Sequence, residues 1–172
     1  MRYLYCDASW RDGMAGAAVV APEAPWQRGA SWRHRMHVRS RRVSSFPSRG
    51  RVFYAAFSSP NSKDAELRAL GMACALASEL LLESSGEDPV EIVSDCLAAL
   101  DEILWSEVCP QGSVAEDIQR FSQGKAILFS KVRAHRGHPG NELADTWARR
   151  ARTREEEPAT EREFPENPRE ES

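Results

Sequence analysis

Val132-Arg133-Ala134-His135-Arg136-Gly137-His138-Pro139-Gly140-Asn141-Glu142-Leu143-Ala144-Asp145 is the stretch that decides the fold. It starts on the end of an apolar run, residues 126–133, in which Ile127, Leu128, Phe129 and Val132 read as a strand. Gly137, Pro139 and Gly140 break that run. From 141 to 151 the period changes. Leu143, Ala144, Trp147, Ala148 and Ala151 recur at three- and four-residue steps, the pattern of one helix face. Asn141 and Glu142 read as the cap and first-turn residues of that helix. A strand is thus followed by a loop with two histidines, and then by a helix with Asp145 in its second turn.

The same periodicities appear upstream. Residues 2–9 alternate and contain two tyrosines, which predicts a strand. Residues 15–20 predict a second, reached through the turn signal Arg11-Asp12-Gly13. Residues 51–57 predict a third. Leu67, Leu70, Cys74, Ala77 and Leu81 predict a helix over 64–83, with Asn61, Ser62 and Asp64 as candidate caps and Gly86 as its stop. Residues 89–94 predict a strand, and helices follow over 96–107 and 114–122. The order is three strands, helix, strand, two helices, strand, helix. It predicts an α/β fold, a mixed sheet flanked by helices.

Four carboxylates stand where such a sheet brings residues together. Asp7 ends the first strand and Asp95 follows the strand 89–94. Glu66 lies near the start of the long helix and Asp145 near the start of the last. Carboxylates packed together repel one another unless cations are present. Mg²⁺ prefers oxygen ligands, and two such ions about 4 Å apart activate water and stabilise the leaving oxygen of a phosphodiester. Cysteine and histidine ligands would select softer metals.

Four blocks of the chain resemble type 1 ribonucleases H, in the family's order over residues 1–151. They are Asp7-Ala8-Ser9 with the strand after it, Asp64-Ala65-Glu66-Leu67-Arg68-Ala69-Leu70, Val93-Ser94-Asp95-Cys96, and the stretch from Val132 to Asp145. The resemblance implies a ribonuclease H-like fold, a five-stranded mixed sheet of order 3-2-1-4-5. It implies an endonuclease that hydrolyses the RNA strand of RNA–DNA hybrids with two Mg²⁺ ions, Mn²⁺ being a substitute. It makes Asp7, Glu66, Asp95 and Asp145 the metal ligands, and His135 a mobile loop histidine assisting proton transfer or product release. His138 reads as a residue bracing the loop. Ala8 stands where the family often has Gly. Lys63 stands where it usually has an Asn that touches the minor groove. A proofreading-type exonuclease would need an acid two residues after Asp7, and that position is Ser9. The alternative to the enzyme is a weak or inactive nuclease-derived module that binds nucleic acid.

Charge is unevenly spread along the 172 residues, whose net value is −3. Residues 24–63 contain no acid but nine basic side chains: Arg28, Arg33, Arg35, Arg39, Arg41, Arg42, Arg49, Arg51 and Lys63. An Arg-rich insertion over about 24–51 is expected to grip phosphates without reading sequence. The expected nucleic-acid contacts are Ser9, Lys63, Arg39, Arg41 and Arg42. Residues 153–172 carry eight acids against three arginines and are expected to be a disordered acidic tail, leaving 1–152 as the catalytic domain. The four cysteines, Cys6, Cys74, Cys96 and Cys109, lack metal-site spacing and read as small apolar residues. Neither a membrane-length apolar run nor a secretory signal is present, so a cytoplasmic protein, expected to be monomeric, is predicted.

Overall fold

The computed structural model describes residues 1–23, 50–83, 88–105, 109–134 and 138–153, and the backbone of 160–164. Most of the Arg-rich stretch, including Arg39, Arg41 and Arg42, lies outside them, as does His135.

Strands β1 (Arg2–Arg11) and β2 (Met14–Pro22) form a hairpin closed by Asp12 and Gly13. Both turn residues have positive φ, at 52° and 85°. Such a two-residue turn matches the twist of the strands it joins, and Asp-Gly tolerates it. Strand β3 (Gly50–Ser58) pairs antiparallel with β2. Helix α1 (Ser62–Glu83) follows at once. Its cap is Asn61, whose Oδ1 accepts from the Asp64 N–H at 2.9 Å. Strand β4 (Val90–Ser94) then returns parallel to β1, and β5 (Ile127–Lys131) parallel to β4. Helices α2 (Leu97–Trp105) and α3 (Val114–Ser122) connect them, and α4 (Pro139–Arg152) ends the compact part.

The sheet order is β5-β4-β1-β2-β3-β6, so the expected order 3-2-1-4-5 stands within a larger sheet. The sixth strand, β6 (Thr160–Phe164), pairs antiparallel with β3. It corrects the expectation of a wholly disordered tail. The segment is too charged to build a core, but a strand on a sheet edge needs only backbone partners, which β3 supplies.

Alternation along β1 sorts the core into two layers. Leu4 and Cys6 face α1, together with Ala17 and Val19 of β2. Tyr5 faces α4, together with Ala18, Val20, Val52 and Tyr54. The rings of Tyr54 and Trp147 stack at 5.4 Å, an aromatic pair contributing about 0.5–1.5 kcal/mol beyond its buried area. Two glycines let α4 lie directly on the sheet. A Cβ on Gly16 would run into the Ala148 carbonyl and the Arg152 amide, and one on Gly140 into the Tyr5 ring. This close seating sets where the first turns of α4 stand relative to β1.

Candidate active site

Register brings the first two acids together. Tyr5 of β1 lies opposite Val93 of the parallel β4. Two residues further on, Asp7 and Asp95 reach the same edge of the sheet. Asp7 lies midway along β1 and not at its end as expected, because β1 continues to Arg11 on its pairing with β2. Asp95 follows the last residue of β4, at the carboxyl end where sites in open α/β sheets form. Helix α1 contributes Glu66 from the turn after its cap. The three carboxylates each offer an oxygen within 4.8 Å of the others. Asp7 is only 6% exposed, and its Oδ1 accepts from the Ala8 N–H at 2.8 Å. Glu66 Oε2 is buried and has no hydrogen-bond partner among the described residues.

Crowding shows in the protonation of the pair. Burial first, then the charges of Asp95 and Asp145, raise the Asp7 carboxyl from 3.8 to about 7. Burial, then Asp7 and Asp95, push Glu66 from 4.5 to about 9. The cluster thus takes up positive charge as a proton when no cation is bound. Nearby thiols add no soft ligand: burial holds Cys6 well above its ordinary value and also raises Cys96. An orphaned buried oxygen among hard oxygen donors fits a divalent cation such as Mg²⁺ or Mn²⁺.

The fourth carboxylate is close enough for its charge to act on Asp7 but stands outside the group of three. Its Oδ1 accepts from Arg149 Nε at 2.8 Å, one helical turn on. Two expected nucleic-acid contacts are engaged within the protein. Ser9 Oγ accepts from Arg152 Nη1 at 2.9 Å, and Lys63 Nζ pairs with Glu102 Oε2 at 2.7 Å. His138 caps α4: its carbonyl accepts from the Glu142 N–H at 3.0 Å, and its ring packs 5.1 Å from Tyr5, while the loop it was expected to brace lies outside the described residues.

Asn141 is a correction. Helix α4 starts at Pro139 with His138 as its cap, so Asn141 lies inside the first turn. Its side chain is buried and donates to Asp95 Oδ2 at 2.9 Å. One signal for this is in the sequence: Asn141 precedes Asp145 by four residues, which puts both on one helix face.

A family model described as RNase H matches residues 2–153. Among solved structures, RNase H1 from the halophilic archaeon Halobacterium salinarum NRC-1 is similar at a TM-score of 0.54 and 15% identity, over 87% of this chain and 96% of that one. LC9-RNase H1, described as a type 1 RNase H with the type 2 active-site motif, is similar at 0.54 and 18%, over 88% and 71%. At such identities these two likenesses speak for the fold. No curated protein matches the chain. A family match over nearly the whole folded part, on a sheet with three acids converging at its edge, places this chain in the RNase H family.

Proposed function

We propose that the protein is a ribonuclease H, an endonuclease hydrolysing the RNA strand of RNA–DNA hybrids to leave a 3′-hydroxyl and a 5′-phosphate. The observation that carries this reading is the convergence of Asp7, Glu66 and Asp95 within 4.8 Å in a chain of that family. Asp7, Glu66, Asp95 and Asp145 would hold two Mg²⁺ ions, with Mn²⁺ a substitute. Such ions supply an activated water and charge stabilisation for the leaving oxygen. The chain's part is to hold the four carboxylates at one edge of the sheet. His135 would move a proton or help release product, a task suited to an imidazole titrating near neutral pH. Arg39, Arg41 and Arg42 would engage phosphates. Ser9 and Lys63 would contact the hybrid, each exchanging its internal partner to do so.

We extend the reading to a cytoplasmic monomer. The four cysteines are free, as suits a reducing compartment, and no described helix is long and apolar enough to cross a membrane.

The test incubates the protein with labelled hybrid, duplex RNA and duplex DNA, with Mg²⁺ and with a chelator. Hybrid cleavage that needs Mg²⁺ is expected, and Asp7→Asn or Asp95→Asn should lower it by about 100-fold or more. No cleavage under any divalent metal overturns the enzyme reading. Cleavage surviving both substitutions overturns the site.

A further inference from the structure

Asn141 is a costly residue for its place. It is 3% exposed, in the first turn of a helix packed on the sheet. Asparagine favours caps and turns over helix interiors, because its amide competes for backbone hydrogen bonds. Its Nδ2 donates to Asp95, but its Oδ1 is buried and has no hydrogen-bond partner among the described residues. A buried carbonyl left without a donor is unfavourable. Alanine would remove that burden and improve the helix. The helix alone therefore gives no reason for an amide here.

Asp95 supplies a reason. Its carboxylate offers an oxygen within 4.8 Å of two others, a crowding that favours turning it away. Asp7 is held by the Ala8 amide beside it. Asn141 does the same for Asp95, donating to its Oδ2 from the neighbouring helix. The donor is neutral, which matters. A Lys or Arg in its place would hold Asp95 equally well but would cancel charge that a cation needs. The donor is also rigidly placed. Gly140 brings the helix against the Tyr5 ring, and Tyr5 lies two residues before Asp7 on the same strand. One contact thus ties the first turn of α4 to the strand that carries the central acid.

We propose that Asn141 is a positioning residue of the metal centre, orienting the Asp95 carboxylate so that the three-acid cluster is preformed before a cation arrives. This rests on the metal-dependent reading above. Partners that orient metal ligands typically change metal affinity or activity by about 10–100-fold when removed.

The experiment compares the full chain with its Asn141→Ala variant in three readouts. Mn²⁺ binding without nucleic acid is followed by titration calorimetry. Hybrid cleavage is resolved into kcat and KM. Thermal unfolding is recorded in chelator. The expected result is Mn²⁺ affinity weakened about 10-fold and kcat lowered about 10-fold or more, with KM within about twofold. The metal-free Tm should be unchanged or higher, since an unsatisfied buried amide has gone. Asn141→Gln, which keeps the donor on a longer arm, should recover part of the affinity. Unchanged Mn²⁺ affinity and kcat in Asn141→Ala overturn the proposal. So does a metal-free Tm lowered by more than about 5 °C, which assigns Asn141 to the fold. Wild-type protein that binds no Mn²⁺ fails the metal reading itself, an outcome separate from either.

Discussion

Asp7 and Glu66 show what crowding costs buried carboxylates. Both carboxyls bind protons more tightly in the folded chain than in the unfolded one, with values near 7 and 9 against 3.8 and 4.5. The stability that comes from this protonation is fully present below pH 4 or so. It is lost as pH rises through those folded values, because the unfolded chain then carries the charges at no penalty. The metal-free protein should therefore melt at a lower temperature at pH 9 than at pH 5. Adding Mg²⁺ should restore more stability at pH 9 than at pH 5. Asp7→Asn should raise the metal-free Tm at pH 9, by about 2–5 °C, while abolishing cleavage. Differential scanning fluorimetry across pH, with and without chelator, checks all three. A metal-free Tm that rises with pH over this range would contradict the crowding of the two acids.

At the scale of elements, α4 ties the site to the sheet. The helix owes its direction to its apolar face, where Ala144, Trp147, Ala148 and Ala151 are buried. Its distance from the sheet depends on Gly16. The neighbours of a Cβ there would be backbone atoms of α4, which cannot rotate away as a side chain can. Gly16→Ala should therefore cost about 3 kcal/mol, at the upper end for overpacking, and lower Tm by roughly 10 °C. It should also lower kcat by moving Asp145 and Asn141 together. Unfolding and cleavage measured on the variant test this. A Tm within about 2 °C of wild type would show that the helix rests elsewhere. The elements themselves were legible in the sequence. Strands β1 to β5 and all four helices lie within about two residues of the bounds expected from apolar periodicity and turn residues, because each buries one patterned face. The start of α4 was less legible. A Pro at the first helical position and a cap without a capping side chain left Asn141 as the apparent start.

Over the whole chain, charge is divided between the acidic cluster and an Arg-rich segment of the sequence. The acidic cluster sits where β4 ends beside the middle of β1, and the Arg-rich segment precedes β3 in the chain. Positive side chains raise the local concentration and on-rate of a polyanion. Neutralising Arg39, Arg41 and Arg42 together should raise KM for hybrid. It should also reduce the slope of log affinity against log salt by about 3, roughly one for each phosphate no longer neutralised. Binding measured over a salt series checks it, and an unchanged slope argues against phosphate binding by these residues.

The sequence by itself determined the elements, their order, the four acids and the family they resemble, because those are written in local spacing. Only the tertiary structure decided who meets whom. Asp7, Glu66 and Asp95 come from a strand, a helix and the residue after a second strand, and converge through register and packing. Asp145 pairs with Arg149, Ser9 with Arg152, and Lys63 with Glu102. Asn141 moves from a cap to a partner of Asp95. Strand β6 forms where the sequence predicts no order, because an edge ladder depends on the neighbouring backbone and not on an apolar pattern. Side-chain partners across long separations arise from docking, and docking leaves no period in a single sequence.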